Sequence, residues 1–188
     1  MDNATLRKNI KKQRKALTQK QRQRFAFLAG LHLPKLLPHL PKHANIGLYL
    51  DDFGELPTAP IMKFCQKYGF TPYLPITKQG KPLTFAPCFY QPTKTPLKRH
   101  TLGMKEPMTK PSLTAKQMDC IICPLVAVDQ LGHRLGMGGG FYDRTFANFH
   151  GLKVGWCYHF QMVDRLAVND WDQRVDLVIT DSNILRFF

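Results

Sequence analysis

Acidic residues are scarce in this chain: 13 Asp and Glu stand against 27 Lys and Arg in 188 residues, a formal charge of +14. That imbalance narrows the partners to something anionic, whether nucleic acid, a membrane surface or a small polyanion, and composition does not choose among them. Long hydrophobic runs are missing as well. No stretch approaches the roughly 20 apolar residues needed to span a bilayer, so no membrane span is expected. The basic N-terminus lacks the apolar core and small-residue cleavage site of a secretory signal. Cysteines number five, odd and without framework spacing, which excludes a disulfide scaffold and favours a reducing, cytoplasmic setting. What is present is globular composition, 44% hydrophobic and 21% charged, with no internal repeat. The length suits one domain over residues 1–188.

Apolar spacing predicts a helix over 4–17, with Leu6, Ile10 and Leu17 forming a narrow stripe among six lysines and arginines. Thr18 and Gln21 form a capping-box pattern that starts a second helix, whose Phe25, Leu28 and Leu31 or His32 are expected to face the core until Pro34, Pro38 and Pro41 end it. Residues 46–50 and 70–74 read as strands, with a D-D-F-G-E turn after the first and a helix between them capped by Thr58 and stopped by Gly69. Residues 75–115 are rich in proline, lysine and threonine and predict a long surface excursion with one strand at 83–86. Residues 121–128 form a continuous apolar run, as expected for a strand buried on both faces. Helices near 141–149 and 161–166 and strands at 152–158 and 175–180 complete an alternating pattern. It predicts an α/β fold of three layers, a mostly parallel, doubly wound sheet with helices on both faces, in which ligands sit beyond the carboxyl ends of the strands.

The most informative stretch lies there. Residues 134–144 read R-L-G-M-G-G-G-F-Y-D-R. Gly136, Gly138, Gly139 and Gly140 lack a Cβ and can turn tightly, so their N–H groups can face an anion, and a helix starting near Phe141 adds its positive end to the same spot. The pattern is neither a Walker A motif nor G-x-G-x-x-G, since Phe141 stands where the third glycine should be. An anion-binding loop and a plain flexible turn are the two readings. Arg134 is a cation on one side. Asp143 and Asp172 are the acids best placed to hold a metal, against a bland role in stabilising a helix end or a turn. Cys120 and Cys123 make a C-x-x-C whose side chains point to opposite faces of a strand, where they cannot share a metal, so buried structural thiols are expected. His133 is read as an exposed loop residue rather than a phosphate contact.

These residues resemble the 5-formyltetrahydrofolate cyclo-ligases, also called 5,10-methenyltetrahydrofolate synthetases. The resemblance rests on residues 134–144 and is supported by Leu6-Arg7, L-Y-L-D-D-F-G-E-L-P-T at 48–58, K-E-P at 105–107, Gln161 and W-D-x-x-V-D near the end. It implies ATP and Mg2+ as co-substrate and cofactor and 5-formyltetrahydrofolate, in some cases polyglutamylated, as substrate. The resemblance assigns ATP to Arg7, Arg134, Leu135, Gly136, Met137, Gly138, Gly139, Gly140, Phe141 and Tyr142. Folate falls to Leu50, Glu55, Met137, Gly138, Gly139, Gly140 and Phe141. Arg134, Tyr142 and Asp143 become the catalytic residues, and Asp143 with Asp172 the metal ligands. Met104 to Pro107 and the aromatics Phe85, Phe89 and Tyr90 are weighed as further walls or a lid of the folate pocket. Asn3 departs from the lysine or arginine that the family often has there. On this reading the positive charge answers two polyanionic substrates rather than nucleic acid, and the chain is expected to act as a monomer. A basic RNA-binding module and a simple kinase are the competing readings. The first lacks a stacking platform, and the second would release a stable phosphorylated product.

Overall fold

The computed structural model describes residues 2–91, 94–100 and 103–187. Helix α1 (Asn3–Ala16) is capped by Asp2, whose carboxylate accepts from the backbone N–H groups of Ala4 and Thr5 at 2.8 and 2.9 Å. Its inward face holds Ile10 and, one turn on, Arg14. Helix α2 (Gln19–Gly30) opens on the Thr18–Gln21 capping box expected from the sequence. Its core face meets expectation only in part: Phe25 packs against the core as expected, but the buried residues are Ala26 and Ala29, and Leu31 is 60% exposed. The reason is proximity. Helix α3 (Ala59–Tyr68) lies so close that a Cβ on Gly30 would meet Pro60 at 2.9 Å, and only small side chains fit between them. A 3-10 helix, Leu33–His39, then brings Leu33 and Leu36 into the core.

The main sheet is built from β1 (Asn45–Gly47), β2 (Thr71–Ile76), β3 (Thr84–Pro87), β6 (Leu113–Thr114), β7 (Cys120–Cys123), β10 (Leu152–Trp156), β12 (Leu177–Ile179) and β13 (Ile184–Arg186). Their order is β13-β12-β10-β7-β1-β2-β3-β6. The five strands from β12 to β2 are parallel, and antiparallel strands close both edges. Helices α2 and α3 cover one face over Ile46, Ile122 and Leu177, and α4 (Phe141–Phe146) covers the other over Ile121, Cys123 and Val178. This is the three-layer, mostly parallel architecture anticipated. Alternation places Cys120 among the first set and Cys123 among the second. All five thiols are free, and burial holds Cys123 up at about 11.

Three local expectations are corrected. The 121–128 run is two strands, because Pro124 has no N–H for the ladder. After β7 the chain enters a small sheet of β11 (Met162–Val163), β8 (Ala127–Asp129) and β9 (Arg134–Leu135). The helix expected at 161–166 is replaced by a 3-10 turn, His159–Gln161, and β11. Gln161 is fully buried there, and its amide donates to the Leu125 and Val126 carbonyls that the break at Pro124 leaves over. Finally, the 75–115 excursion is more ordered than expected. Besides β3, the strand expected at 83–86, it contributes β6 to the main sheet and a separate ribbon of β4 (Leu97–Arg99) and β5 (Lys105–Pro107). Pro92, Thr93, Thr101 and Leu102 of that segment lie outside the described residues. Among the described residues no helix is long and apolar enough to cross a membrane.

Candidate active site

Helix α3 links β1 to β2 across one face and α4 links β7 to β10 across the other, so the connections diverge between β1 and β7. Open α/β sheets form a crevice at such a point, beyond the carboxyl ends of the strands. A cavity of about 370 Å³ lies there, lined by Tyr49 and Leu50 after β1, Pro75 and Thr77 at the end of β2 and Pro124 to Val126 after β7. The whole of 134–143 faces it, as do Arg7, Glu55 and Asp172. The residues assigned to ATP, folate, metal and catalysis are thus gathered around one cavity.

The glycine segment forms one wall. Gly138 (φ 98°) and Gly140 (φ 63°) use the left-handed region, and Gly140 turns the chain directly into α4. The loop is held from two sides. Arg7 Nε of α1 donates to the Gly136 carbonyl at 2.8 Å, and Arg144 Nη2 donates to the Gly139 carbonyl at 2.6 Å. With those carbonyls engaged, the exposed surface of Met137, Gly138 and Gly139 faces the cavity. Beneath it Arg134 is 8% exposed, sits over the rings of Phe146 and Tyr142 at 5.1 and 5.7 Å, and donates through Nη2 to Asp143 Oδ1 at 2.7 Å. Its Nε has no partner among the described residues. The same Asp143 oxygen accepts the Gln173 N–H at 3.2 Å, while Oδ2 accepts nothing among the described residues. Burial holds the Tyr142 phenol well above its usual value, so it is a neutral hydroxyl at physiological pH.

Asp172 closes a turn, accepting the Asn169 N–H through Oδ2 at 2.8 Å, and lines the cavity. Among the described residues no three His, Cys, Asp or Glu side chains gather into a preformed cage. Two carboxylates on one cavity wall nevertheless suit Mg2+, which usually binds one or two carboxylates and completes its shell with water and substrate phosphate. The donor set therefore fits the ion that the resemblance implies.

The opposite wall is the turn after β1. Phe53 (φ 51°) and Gly54 (φ 76°) reverse the chain and drop Glu55 into a site only 11% exposed at its side chain. Burial pushes its carboxyl up to about 7, against the pull of Arg14, whose Nη1 lies 4.0 Å from Oε1. Oε2 accepts the Asp52 N–H at 3.2 Å, and the Tyr158 hydroxyl holds the Glu55 carbonyl at 3.1 Å.

Several expectations fall elsewhere. Met104 and Lys105 line the cavity, but Phe85 is fully buried under the sheet, and Phe89 and Tyr90 lie outside the lining. Tyr90 instead donates to the Phe70 carbonyl. Glu106 is buried and accepts the Thr77 N–H at 2.6 Å, bracing the wall rather than facing the cavity. His133 is not an exposed loop residue. Its Nδ1 is 3.0 Å from Asp129 and its Nε2 accepts from Arg174 Nε at 3.0 Å, away from the cavity. Thr58 stands at the N-cap of α3 but donates to Asp51 instead of capping it. Residues not singled out beforehand include Trp171, 69% exposed on the rim, and Arg14. Arg14 was legible in principle, since it falls four residues after Ile10 on the apolar stripe of α1. Asn3 lines the outer edge, and its amide donates to the Ala167 carbonyl at 2.9 Å.

Comparison with known proteins gives consistent results. The profile of the 5-formyltetrahydrofolate cyclo-ligase family matches residues 1–181. The Escherichia coli K12 protein named 5-formyltetrahydrofolate cyclo-ligase is 33% identical over 180 residues, covering 93% of this chain and 98% of that protein. The protein of the same name from Haemophilus influenzae is 33% identical over 172 residues, covering 89% of this chain and 91% of its own. Among solved structures, the Aquifex aeolicus 5,10-methenyltetrahydrofolate synthetase superposes with a TM-score of 0.82 at 32% identity, covering 100% of this chain and 93% of that one. The Mycoplasma pneumoniae synthetase gives a TM-score of 0.77 at 26% identity over 96% and 99% of the two chains.

Proposed function

This chain belongs to the 5-formyltetrahydrofolate cyclo-ligase family, and from that premise we propose that it converts 5-formyltetrahydrofolate to 5,10-methenyltetrahydrofolate at the expense of ATP, releasing ADP and phosphate. The observation that carries the reading is the cavity between β1 and β7, which a backbone-lined, cationic wall and a buried carboxylate line together.

A formyl oxygen is a poor leaving group until it carries phosphate. In the proposed reaction the formyl oxygen attacks the γ-phosphorus, the bond to the β-phosphate oxygen breaks, and ADP leaves. N10 then adds to the activated carbon and loses its proton, and the C–O bond to phosphate breaks as the ring closes. Phosphoryl transfer mainly needs positioning and charge neutralisation. Arg7 and the N–H groups of 136–140 would cradle the phosphates. Arg134, oriented by Asp143, would face the charge that develops on the phosphoryl oxygens, and the neutral Tyr142 hydroxyl would donate a hydrogen bond to the same region. Asp143 and Asp172 would hold Mg2+, whose charge when bound neutralises the transferred group. Leu50 and Glu55 would hold the pterin, with Met137 and Phe141 supplying apolar surface where the two substrates meet.

The purified chain, given both substrates and Mg2+, should form ADP only when 5-formyltetrahydrofolate is present, in step with growth of the methenyl absorbance. No methenyl product from folded protein would remove the reading. Accumulation of a stable phosphorylated folate without free phosphate would point to a kinase instead.

A further inference from the structure

Arg14 is 2% exposed in the interior of an otherwise basic, solvent-facing helix. Burying a guanidinium is costly unless its donors are used. Nη2 donates to the Leu125 carbonyl, Nη1 faces Glu55 Oε1 at 4.0 Å, and Nε has no partner among the described residues. The contact is also built into the backbone. A Cβ on Gly54 would lie 3.2 Å from Arg14 Cβ and 3.4 Å from its carbonyl oxygen, so α1 packs directly against the turn that aims Glu55. The Arg14 carbonyl in turn accepts from Arg22 Nη2 at 3.2 Å, which fixes the end of α1 against α2.

We propose that Arg14 is a positioning residue for the folate subsite, acting through Glu55: it supplies the buried positive charge that lets the Glu55 carboxylate face the pterin as an acceptor. The inference rests on the placement of the pterin proposed above. Apart from the Asp52 N–H, which donates to Oε2 at 3.2 Å, the other groups around Glu55 give it no such help. Asp51 and Asp52 on its own turn add negative charge, while Tyr49 after β1, Tyr142 on α4 and Tyr158 before the His159–Gln161 turn are all neutral phenols. Arg14 is the one cation set against this carboxylate among the described residues. An ionised carboxylate accepts from pterin N–H donors through both oxygens, whereas a protonated one gives up part of that capacity. Folate recognition should therefore weaken on the acid side, and removal of Arg14 should move that limb towards higher pH.

The test is a double-mutant cycle on the full chain with KM and kcat measured from pH 6 to 9. Arg14→Met is expected to raise KM for 5-formyltetrahydrofolate roughly tenfold at pH 7.5, with kcat and KM for ATP within about twofold and the acid limb displaced upward. In a Glu55→Gln background the same change should have no further effect on KM for folate. An equal rise in KM for ATP, an undisplaced limb, or the same loss in the Glu55→Gln background overturns the proposal. Arg14→Lys keeps the charge and serves if Arg14→Met does not fold. A limb that stays at the wild-type position supports the inference, and one that moves in folded protein sinks it. An unchanged KM in Glu55→Gln alone would remove both the pterin placement and the role of Arg14, whereas failure of the parent chain to form methenyl product would remove the assigned reaction itself.

Discussion

Residues 134–143 and the turn after β1 line the same cavity, yet the first presents exposed backbone pinned by arginines and the second a single buried carboxylate. A backbone surface without side chains follows the shape of whatever lies on it, and phosphate suits it because N–H dipoles need no titration. A buried carboxylate selects by charge and is exposed to pH. The first wall should therefore govern chemistry and contact both substrates. The second should govern one substrate only.

The largest expected effect separates the two roles. Asp143→Asn leaves an oxygen to accept the Gln173 N–H but removes the charge that orients Arg134. It should lower kcat by roughly 10²–10³ with KM for folate little changed and the circular dichroism spectrum intact. Full activity would remove both the metal assignment and the contrast. Next, Gly138→Ala meets nothing within 4 Å and suffers only from its φ of 98°. That strain costs about 1–2 kcal/mol, and on the proposed function, which sets both substrates against this loop, KM should rise severalfold for ATP and folate together. A rise for one alone would mean that the substrates do not share this wall.

Glu55→Gln examines the other wall through stability. The folded-state value of about 7 lies above the ordinary 4.5, so the fold is least burdened when Glu55 is protonated and loses stability as pH rises through 7. Glutamine mimics the protonated form. The variant should melt a few degrees higher at pH 8, roughly 1–3 kcal/mol of stability, and match the parent at pH 4 while binding folate less well. A lower melting temperature at pH 8 would mean that the Arg14 pair outweighs burial. The smallest effect is expected off both walls. Phe89→Ala removes a ring 57% exposed and should leave both KM values within about twofold. A larger change would bring Phe89 into the folate wall.

Much of the first wall was legible because its chemistry is consecutive. Glycine spacing, the flanking Arg134 and Asp143, the strand before and the helix after are all local features, and the Thr18–Gln21 box and the opposed faces of Cys120 and Cys123 are likewise set by short spacings. What escaped depends on distant partners. Leu31 carries more apolar surface than Ala26 or Ala29, but the approach of Pro60 to Gly30 decides which face of α2 is covered. The 161–166 segment follows the stranded carbonyls near Pro124 rather than its own periodicity. Strands β4, β5 and β6 are two or three residues each and exist through pairing. Arg14 falls on the apolar stripe of α1 four residues after Ile10, but nothing within its own turn marks it as the neighbour of Glu55.

The attachment of α1 has a consequence for how the molecule is made. Arg14 bonds to Leu125, Arg7 to Gly136 and Asn3 to Ala167, separations of 111, 129 and 164 residues. During synthesis at about 5–20 residues per second α1 must wait roughly 5–30 s for its seat. Throughout that interval Leu6 and Ile10 have no apolar cover, because Val126, Ala127, Leu135 and Leu166 have not been made. The lysines and arginines crowded around that narrow stripe keep the waiting helix in water, so a composition that would suit the proposed polyanionic substrates also serves the nascent chain.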